Sequence, residues 1–522
     1  MAIQRRLLSE NPRNKIYIES KVPDSAEQIL KEFGLNIEYG DTTKLNDPLF
    51  LDKLGAVLFI QTESRLSGIN DNLLAHASRL LDYDIRVFIL FSFLEDTSAE
   101  VVDLFSKSAI KCIEKLDLPY KKDSSLPELP NIELLGPFLP WDEAAKRIGQ
   151  FMADYPAGIA PNRSLRLVNF CPTDPSEEIL LRRSFSDFIE LEITQLVGGK
   201  SGAAVYSAYV SDGRWLQPYF VKIDTRVRIV SEYINYQEDV EKYLPYHLHP
   251  RLRTHFCHLG ANKGILVGDF IDKSETLLEC AQSGRSGPAL ANLFDHSLQG
   301  WHKNASIKDI KLVEYLQIPK IERIKMSRIQ LAQSLGSSVK NYEEVTTIFN
   351  TLKLGPLLIG QIHGDLNAMN IHVRGFDSVL IDFLACRTGP LLYDAACLEV
   401  SLLIDGFHIE SNFEHEWMRS VSQLYIDNRL MDCSWKCRPT SNISWFYSCV
   451  KQIRLYAREW EHGPNQYAAI LAAALLIKAS KDNNAIQDEA FRRAVAYYFA
   501  ERILTYIVDS NENSSKGCSH EQ

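Results

Sequence analysis

The stretch Gln361–Glu399 reads QIHGDLNAMNIHVRGFDSVLIDFLACRTGPLLYDAACLE, and three of its polar residues are spaced for one kind of chemistry. Asp365 is followed five positions later by Asn370, and twelve beyond that by Asp382, at the end of the apolar strand Val379–Ile381. Phosphoryl transfer from ATP needs these group types in this order. One carboxylate must lie beside the attacking hydroxyl, orient it and accept its proton. An amide oxygen and a second carboxylate must hold Mg2+ against the phosphates, because a hard cation takes oxygen ligands. A short loop followed by a β-hairpin brings all three to one point, with Asp365 as base and Asn370 and Asp382 as metal ligands. Each residue alone is a common turn former or helix cap, and an isolated HGD is more often a turn than a site. The full H-G-D-x-x-x-x-N with a downstream strand ending in D-F is much rarer. His363 is expected to brace the loop backbone rather than act as a general base, and His372 to be a strand side chain with no role.

An ATP site also needs a cover for the phosphates upstream. Leu196–Tyr206, LVGGKSGAAVY, places Gly198, Gly199 and Gly202 between two strands, where glycine lets backbone N–H groups approach phosphate oxygens. The GKS at Gly199–Ser201 is not the end of a Walker A loop, since Thr194 stands where its first glycine belongs and the context is strand–turn–strand. Lys222, in YFVKID, is flanked by apolar residues that bury its stem, and it can reach the α/β-phosphates if a carboxylate from the next helix holds it. That helix, expected over Val230–Tyr243, offers Glu232 and Glu238. They cannot both face Lys222, because six residues are about 600° of helical rotation. Glu232, nearer the strand, is favoured, with Glu238 in reserve.

This order of glycine loop, lysine, glutamate, HGD and DF resembles the protein-kinase-like fold. HGDLNAMNIHV and LIDF are most similar to its aminoglycoside phosphotransferase and choline kinase branch. Within that branch GGKSGAAVY, the EYINY segment at Glu232–Tyr236, HGDLNAMN and IDFLACRTGPLLYDAACLE resemble the ternary-complex-associated kinase-like domains of bacterial conflict and signalling systems. The resemblance covers about residues 185–505. It implies phosphate-loop roles for Gly198, Gly199 and Gly202, nucleotide anchoring by Lys222 and Glu232, a base at Asp365 and Mg2+ ligands at Asn370 and Asp382. It further implies that Asp394 braces the catalytic loop, and that the backbone of LVGDFI, Leu266–Ile271 with Asp269 in it, passes the adenine at the hinge. Two positions depart from the family pattern. Asn367 replaces the commoner His of HGDLH, and Leu384 replaces the glycine of DFG.

The remainder of the chain sets this core in context. Its 522 residues carry 57 Lys+Arg against 67 Asp+Glu, a net charge of −10 that gives no global footprint for nucleic acid or acidic membrane. Ten cysteines in this length form no disulfide framework, and Cys433 and Cys437 lack a second pair for zinc, so reduced thiols of a cytoplasmic protein are expected. The first residues, MAIQRRLLSENPRNK, have no apolar stretch of a secretory signal, and the longest apolar run, Tyr467–Ile477, reads as a core helix.

From about 14 to 155, strands KIYIE, AVLFIQ and RVFILF alternate with amphipathic helices over Ser25–Phe33, Asn70–Leu81, Ser98–Ser106 and Trp141–Asp154. That alternation predicts an α/β doubly wound parallel sheet, flavodoxin-like or TIR-like, over residues 1–160. Gln61 and Thr62 end its central strand where a phosphorelay receiver needs an aspartate, and Glu63 beyond them reads as solvated surface. A regulatory, sensing or docking role through a protein partner is expected of this part.

A linker is expected over 161–184, a kinase-like small lobe over 185–272, a large helical lobe over 273–508 and a disordered tail over 509–522. The overall class is thus an α+β bilobal kinase-like domain preceded by an α/β domain. Its leading function is ATP- and Mg2+-dependent transfer of the γ-phosphate to a hydroxyl acceptor, small molecule or protein. The alternative is a nucleotide-sensing signalling or defence module with little turnover. Glu399, Asp405, Glu410 and Glu414 are candidates for an acidic acceptor pocket, and equally for the solvated faces of surface helices.

Overall fold

The computed structural model describes residues 10–62, 71–92, 132–136, 139–170, 174–196, 202–213, 215–312, 324–336, 339–407, 414–425, 443–481 and 489–517. It divides into two compact units, Met1–Ser231 with Leu252–Phe270, and Glu232–Arg251 with Ile271–Gln522. The second crossing point, between Phe270 and Ile271, falls within the stretch expected as the hinge.

The first unit opens with five parallel strands, β1 (Lys15–Ile18), β2 (Asn36–Tyr39), β3 (Leu54–Thr62), β4 (Arg86–Ser92) and β5 (Ile132–Leu135), in the order β2-β1-β3-β4-β5. All four pairings are parallel, and the order is that of doubly wound sheets, compatible with the flavodoxin-like alternative. The helices Asp24–Glu32 and Trp141–Asp154 lay Ala26, Leu30, Ala144, Ile148 and Met152 against Ile16, Ile18, Leu58 and Phe88. The opposite face is covered by the helix Asp71–Asp82 through Leu80 and Leu81. Sequence reading finds β1, β3 and β4 but passes over β2 and β5. Both are four-residue edge strands, too short for a period-2 pattern to register. Ser98–Ser106 and Glu63 lie outside the described residues.

Residues 161–184 are not a linker. β6 (Arg166–Val168) runs parallel beside β7 (Glu190–Gln195), and the helix Pro175–Ser184 buries Leu180 and Leu181 in the same core as Leu191 and Ile193. The helix start is encoded after all. Asp174 accepts a hydrogen bond from the Ser176 amide at 2.9 Å and Pro175 opens the first turn. A three-residue strand, by contrast, leaves no readable period. β7, β8 (Ala204–Ser211), β9 (Leu216–Thr225) and β11 (Lys263–Asp269) continue as an antiparallel sheet, closed at its far edge by the two-residue β10 (His258–Leu259).

The parallel sheet is mounted on this second sheet by buried charges. Arg183, fully buried, donates to the carbonyls of Asp82 (2.7 Å) and Leu259 (3.0 Å) and lies 3.3 Å from the Asp84 carboxylate. Asp82 in turn accepts from the Ala261 amide at 2.9 Å and the Ser176 hydroxyl at 2.8 Å. Burial opposes ionisation of Asp84, but Arg183 and Arg86 outweigh it and hold its carboxyl below the usual range.

In the second unit, β12 (Glu275–Thr276) pairs with the hairpin of β15 (Ile371–Arg374) and β16 (Asp377–Leu380). β13 (Ser306–Lys308), β14 (Leu357–Ile362) and β17 (Arg387–Pro390) form a second three-stranded sheet. The helices Leu392–Asp405, Ser444–Trp460, Gln466–Ser480 and Glu489–Gly517 supply most of the remaining core. The last of these continues through Asp509 to Gly517, into the stretch expected to be disordered. No proline interrupts it.

Candidate active site

β14 delivers the chain to His363, and β15 takes it away again at Ile371, so residues 363–370 form a loop between two strands. The loop is tied down by the buried helix Leu392–Asp405. Asp394 accepts from the amides of His363 (2.7 Å) and Gly364 (2.9 Å) through its two carboxylate oxygens, and Ser401 Oγ accepts from the Ala368 amide at 2.9 Å. The two anchors are seven residues apart, about two helical turns, and therefore on one face. Burial pushes the Asp394 carboxyl up, against the opposing pull of His363 and the two amides. Asp394 thus ties the backbone of His363 and Gly364 to the helix. Ser401 was not foreseen. Only its seven-residue spacing from Asp394 carries a signal, and that spacing has meaning once Asp394 is known to face the loop.

Gly364 has φ +76°, and a Cβ there would lie 2.2 Å from the Ala385 carbonyl oxygen, so no other residue fits without moving the DF segment. His363 is fully buried and its Nε2 is 2.9 Å from the Ile381 carbonyl, joining the loop to the strand before Asp382. That contact ties the ring to the backbone. His372, on β15, makes a 3.0 Å contact to Ser274 Oγ and has no place in the site.

Asn370 Nδ2 donates to the Asp365 carbonyl at 3.1 Å, which commits the amide N–H and leaves the side-chain oxygen as the end able to meet a cation. The Ile381 amide donates to the Asn370 carbonyl at 3.0 Å, so Asp382 follows directly on a residue bonded to Asn370. Asp382 adopts φ 65°, ψ 72°, a left-handed conformation uncommon for a non-glycine residue. The Asn235 amide fixes the next turn by donating to the carbonyls of Phe383 (2.9 Å) and Leu384 (3.1 Å), a clamp the sequence did not reveal. Leu384, standing where DFG has glycine, is held through its carbonyl. Asn367, standing where His is commoner, accepts from the Met369 (3.0 Å) and Asn370 (3.2 Å) amides and shapes the loop's turn.

Asp365 carries its carboxylate at the surface, 42% exposed, with Lys481 Nζ 3.2 Å from Oδ1. The nearby Cys397 thiol is pushed up to about 12 by burial and stays protonated, so it offers no nucleophile. Among the described residues no three or more His, Cys, Asp or Glu side chains gather as a metal cage. A Mg2+ taken up by Asn370 and Asp382 would need phosphate oxygens to complete its shell, the usual way this ion is held at nucleotide sites.

The other expected residues fall as follows. Lys222 lies on β9 opposite Val205 and Leu266, and is buried. Glu232 is buried, whereas Glu238 is exposed and paired with Lys242 in the π-helical stretch Tyr236–Val240. The expected helix over Val230–Tyr243 begins earlier, as an α-helix over Arg226–Asn235 that continues as a π-helix over Tyr236–Val240. Gly202 has φ +79°, while Gly198 and Gly199 lie outside the described residues. Asp269 ends β11 in an ion pair with Arg253 at 2.6 Å. Of the acidic-pocket candidates, Glu399 and Asp405 are each committed to a cation. Glu399 is fully buried, bonded to Arg454 (2.6 Å) and Tyr467 (2.8 Å), and Asp405 is paired with Lys478. Glu410 and the Glu414 side chain lie outside the described residues.

Among the described residues no helix is long and apolar enough to cross a membrane, and Cys257, Cys280, Cys386, Cys397 and Cys449 are free thiols.

No protein-family model matches the chain, and neither does any curated protein. Solved structures do. An amicoumacin kinase in complex with AMP-PNP, Ca2+ and Ami is 14% identical over 60% of this chain and 88% of that one, with a TM-score of 0.35. A glucosamine kinase with glucosamine, ADP and inorganic phosphate is 11% identical over 67% and 88%, at a TM-score of 0.34. A choline/ethanolamine kinase family protein from Mesorhizobium loti is 12% identical over 54% and 92%, at 0.27. Identities of this size carry no substrate from those proteins to this chain. The solved structures to which the chain is similar are kinases of the aminoglycoside phosphotransferase and choline kinase-like group.

Proposed function

We propose that the chain is an ATP- and Mg2+-dependent phosphotransferase that passes the γ-phosphate to a hydroxyl group. The observation that supports this best is the backbone linkage of its three polar residues. The Asn370 side chain is bonded to the Asp365 carbonyl and the Asn370 carbonyl to the Ile381 amide, so base and metal ligands belong to one braced loop.

In this reading Asp365 orients the acceptor hydroxyl and takes its proton as the oxygen attacks. Its exposure leaves room for an acceptor, while the buried Asp394 and Ser401 keep its loop from yielding. Asn370 and Asp382 would hold Mg2+, whose charge neutralises the phosphates when bound. The same reading assigns nucleotide anchoring to Lys222 and Glu232, phosphate contacts to the backbone of Gly198, Gly199 and Gly202, and the adenine to the backbone about Asp269. The N-terminal α/β part, flavodoxin-like in this reading, serves regulation or docking.

The purified chain should turn over Mg-ATP slowly with water as acceptor, and faster with the right hydroxyl compound. Asp365→Asn should abolish turnover while nucleotide affinity stays within about tenfold, or roughly 1.4 kcal/mol. Wild-type turnover in that variant rejects the assignment. Screening hydroxylated metabolites and co-purifying proteins for labelled phosphate would identify the acceptor.

A further inference from the structure

Lys481 belongs to none of the expected motifs, yet it is the residue in contact with the Asp365 carboxylate, at 3.2 Å. Both side chains are about half exposed, 47% and 42%, so the pair contributes little to stability. What is built is the position of the lysine. It follows immediately on the helix Gln466–Ser480, which is buried over nearly its whole length. Arg328, itself buried, crosses from another helix and donates to the carbonyls of Ala479 (2.8 Å) and Lys481 (3.2 Å). A buried cation at a helix C-terminus is electrostatically favoured and fixes the backbone there. The chain therefore spends a buried arginine on holding the backbone of Lys481, and the side chain of Lys481 on Asp365. A surface ion pair of no consequence needs neither.

We infer that Lys481 is a catalytic residue, the cation that follows the negative charge from Asp365 to the phosphoryl group as transfer proceeds. This rests on the phosphotransferase reading above. In the step, the acceptor O–H gives its proton to Asp365 while its oxygen forms a bond to the γ-phosphorus. The bond from that phosphorus to the β,γ-bridging oxygen breaks, and ADP leaves with the electron pair. The proton on Asp365 then passes to solvent. Asp365 is anionic before the step and neutral after it, so Lys481 loses its ionic partner at the moment charge builds on the transferred oxygens. An ammonium has three N–H donors. One bond to Asp365 leaves two for phosphoryl oxygens beside the acceptor. Lys481 stays protonated throughout, and its interaction strengthens in the transition state rather than in the bound ground state. That is the condition for raising kcat rather than lowering KM.

The test uses the full chain and Mg-ATP turnover with water as acceptor. Lys481→Met keeps the aliphatic stem and removes the charge. It should lower kcat about tenfold to a hundredfold, the scale of one transition-state donor in a partly exposed site, with KM for ATP within about threefold. Lys481→Arg, which restores a cation, should recover most of the loss. The melting temperature of Lys481→Met should match wild type, because the pair is exposed. Wild-type kcat in Lys481→Met overturns the inference and leaves the phosphotransferase reading intact, as does a loss that Lys481→Arg fails to restore. Absence of turnover in the wild type, or its persistence in Asp365→Asn, overturns both.

Discussion

Asp394 and Glu399 lie five residues apart on one helix, both with carboxylates shut away from water, and they do opposite work. Five residues are about 500° of rotation, which sets the two side chains roughly 140° apart. Asp394 looks toward the catalytic loop and spends its two oxygens on neutral backbone amides. Glu399 looks toward the helices behind, where Arg454 and the Tyr467 hydroxyl neutralise it. Burial works against the Arg454 charge, but Glu399 outweighs it and its proton affinity ends up raised. A buried carboxylate with a charged partner fastens elements together. One with only amide partners holds a backbone in shape, and burial disfavours its charge.

Several substitutions put that contrast at risk. Arg454→Ala strands Glu399 as a buried unpaired charge and should cost about 3–5 kcal/mol in chemical denaturation, with turnover per folded molecule unchanged at low temperature. Loss of turnover there without loss of stability would mean that Glu399 serves the site after all. Gly364→Ala forces a Cβ into the Ala385 carbonyl at a positive φ, and should cost about 2–4 kcal/mol together with most of the turnover. Asp394→Ala leaves two buried amides without an acceptor, a loss of about 2–3 kcal/mol, and the loop's disorder should lower kcat more than tenfold. Ser401→Ala removes one such acceptor, for about 1 kcal/mol and a smaller kinetic effect.

The pH dependence should separate buried acids by their partners. The Asp394 carboxyl is raised by burial, so its share of stability is present below the ordinary aspartate range and is lost as pH rises through its raised value. Relative to Asp394→Asn, the wild type should lose stability over that window and level off above it. Asp84, depressed by Arg183 and Arg86 despite burial, contributes stability above the ordinary range that is lost as pH falls through its lowered value. Denaturation curves of Asp84→Asn and Asp394→Asn across pH should therefore diverge from wild type at opposite ends.

What the sequence made legible follows the same division. Asp365, Asn370 and Asp382 could be found because a loop and hairpin fix their spacing locally, and Asp394 through the resemblance of GPLLYDAACLE to a family motif. Ser401, Asn235, Arg328 and Lys481 act on the site from positions distant in the chain, as Asn235 does on Leu384 from 149 positions away, and no local pattern marks them. Glu399 and Asp405 were indistinguishable from surface acids because their partners, Arg454 and Lys478, are 55 and 73 residues downstream. The supposed linker failed for another reason. β6 makes sense only beside β7, so its identity lies in pairing rather than in its three residues.

The arginine mount in the first unit also fixes which end of the parallel sheet remains at liberty. Arg13 donates to the Leu54 carbonyl at the start of β3, and Arg86 opens β4, so the charges gather at the amino ends of the strands. Doubly wound sheets take their ligands at the carboxyl ends. The anchored edge and the receptive edge are therefore opposite. The Arg183 guanidinium and the Ala261 amide are bonded to Asp82 at this junction, so removing residues 1–160 would bare them. The first 160 residues thus behave less as a detachable sensor than as the far end of a beam whose near end is the sheet that carries Lys222.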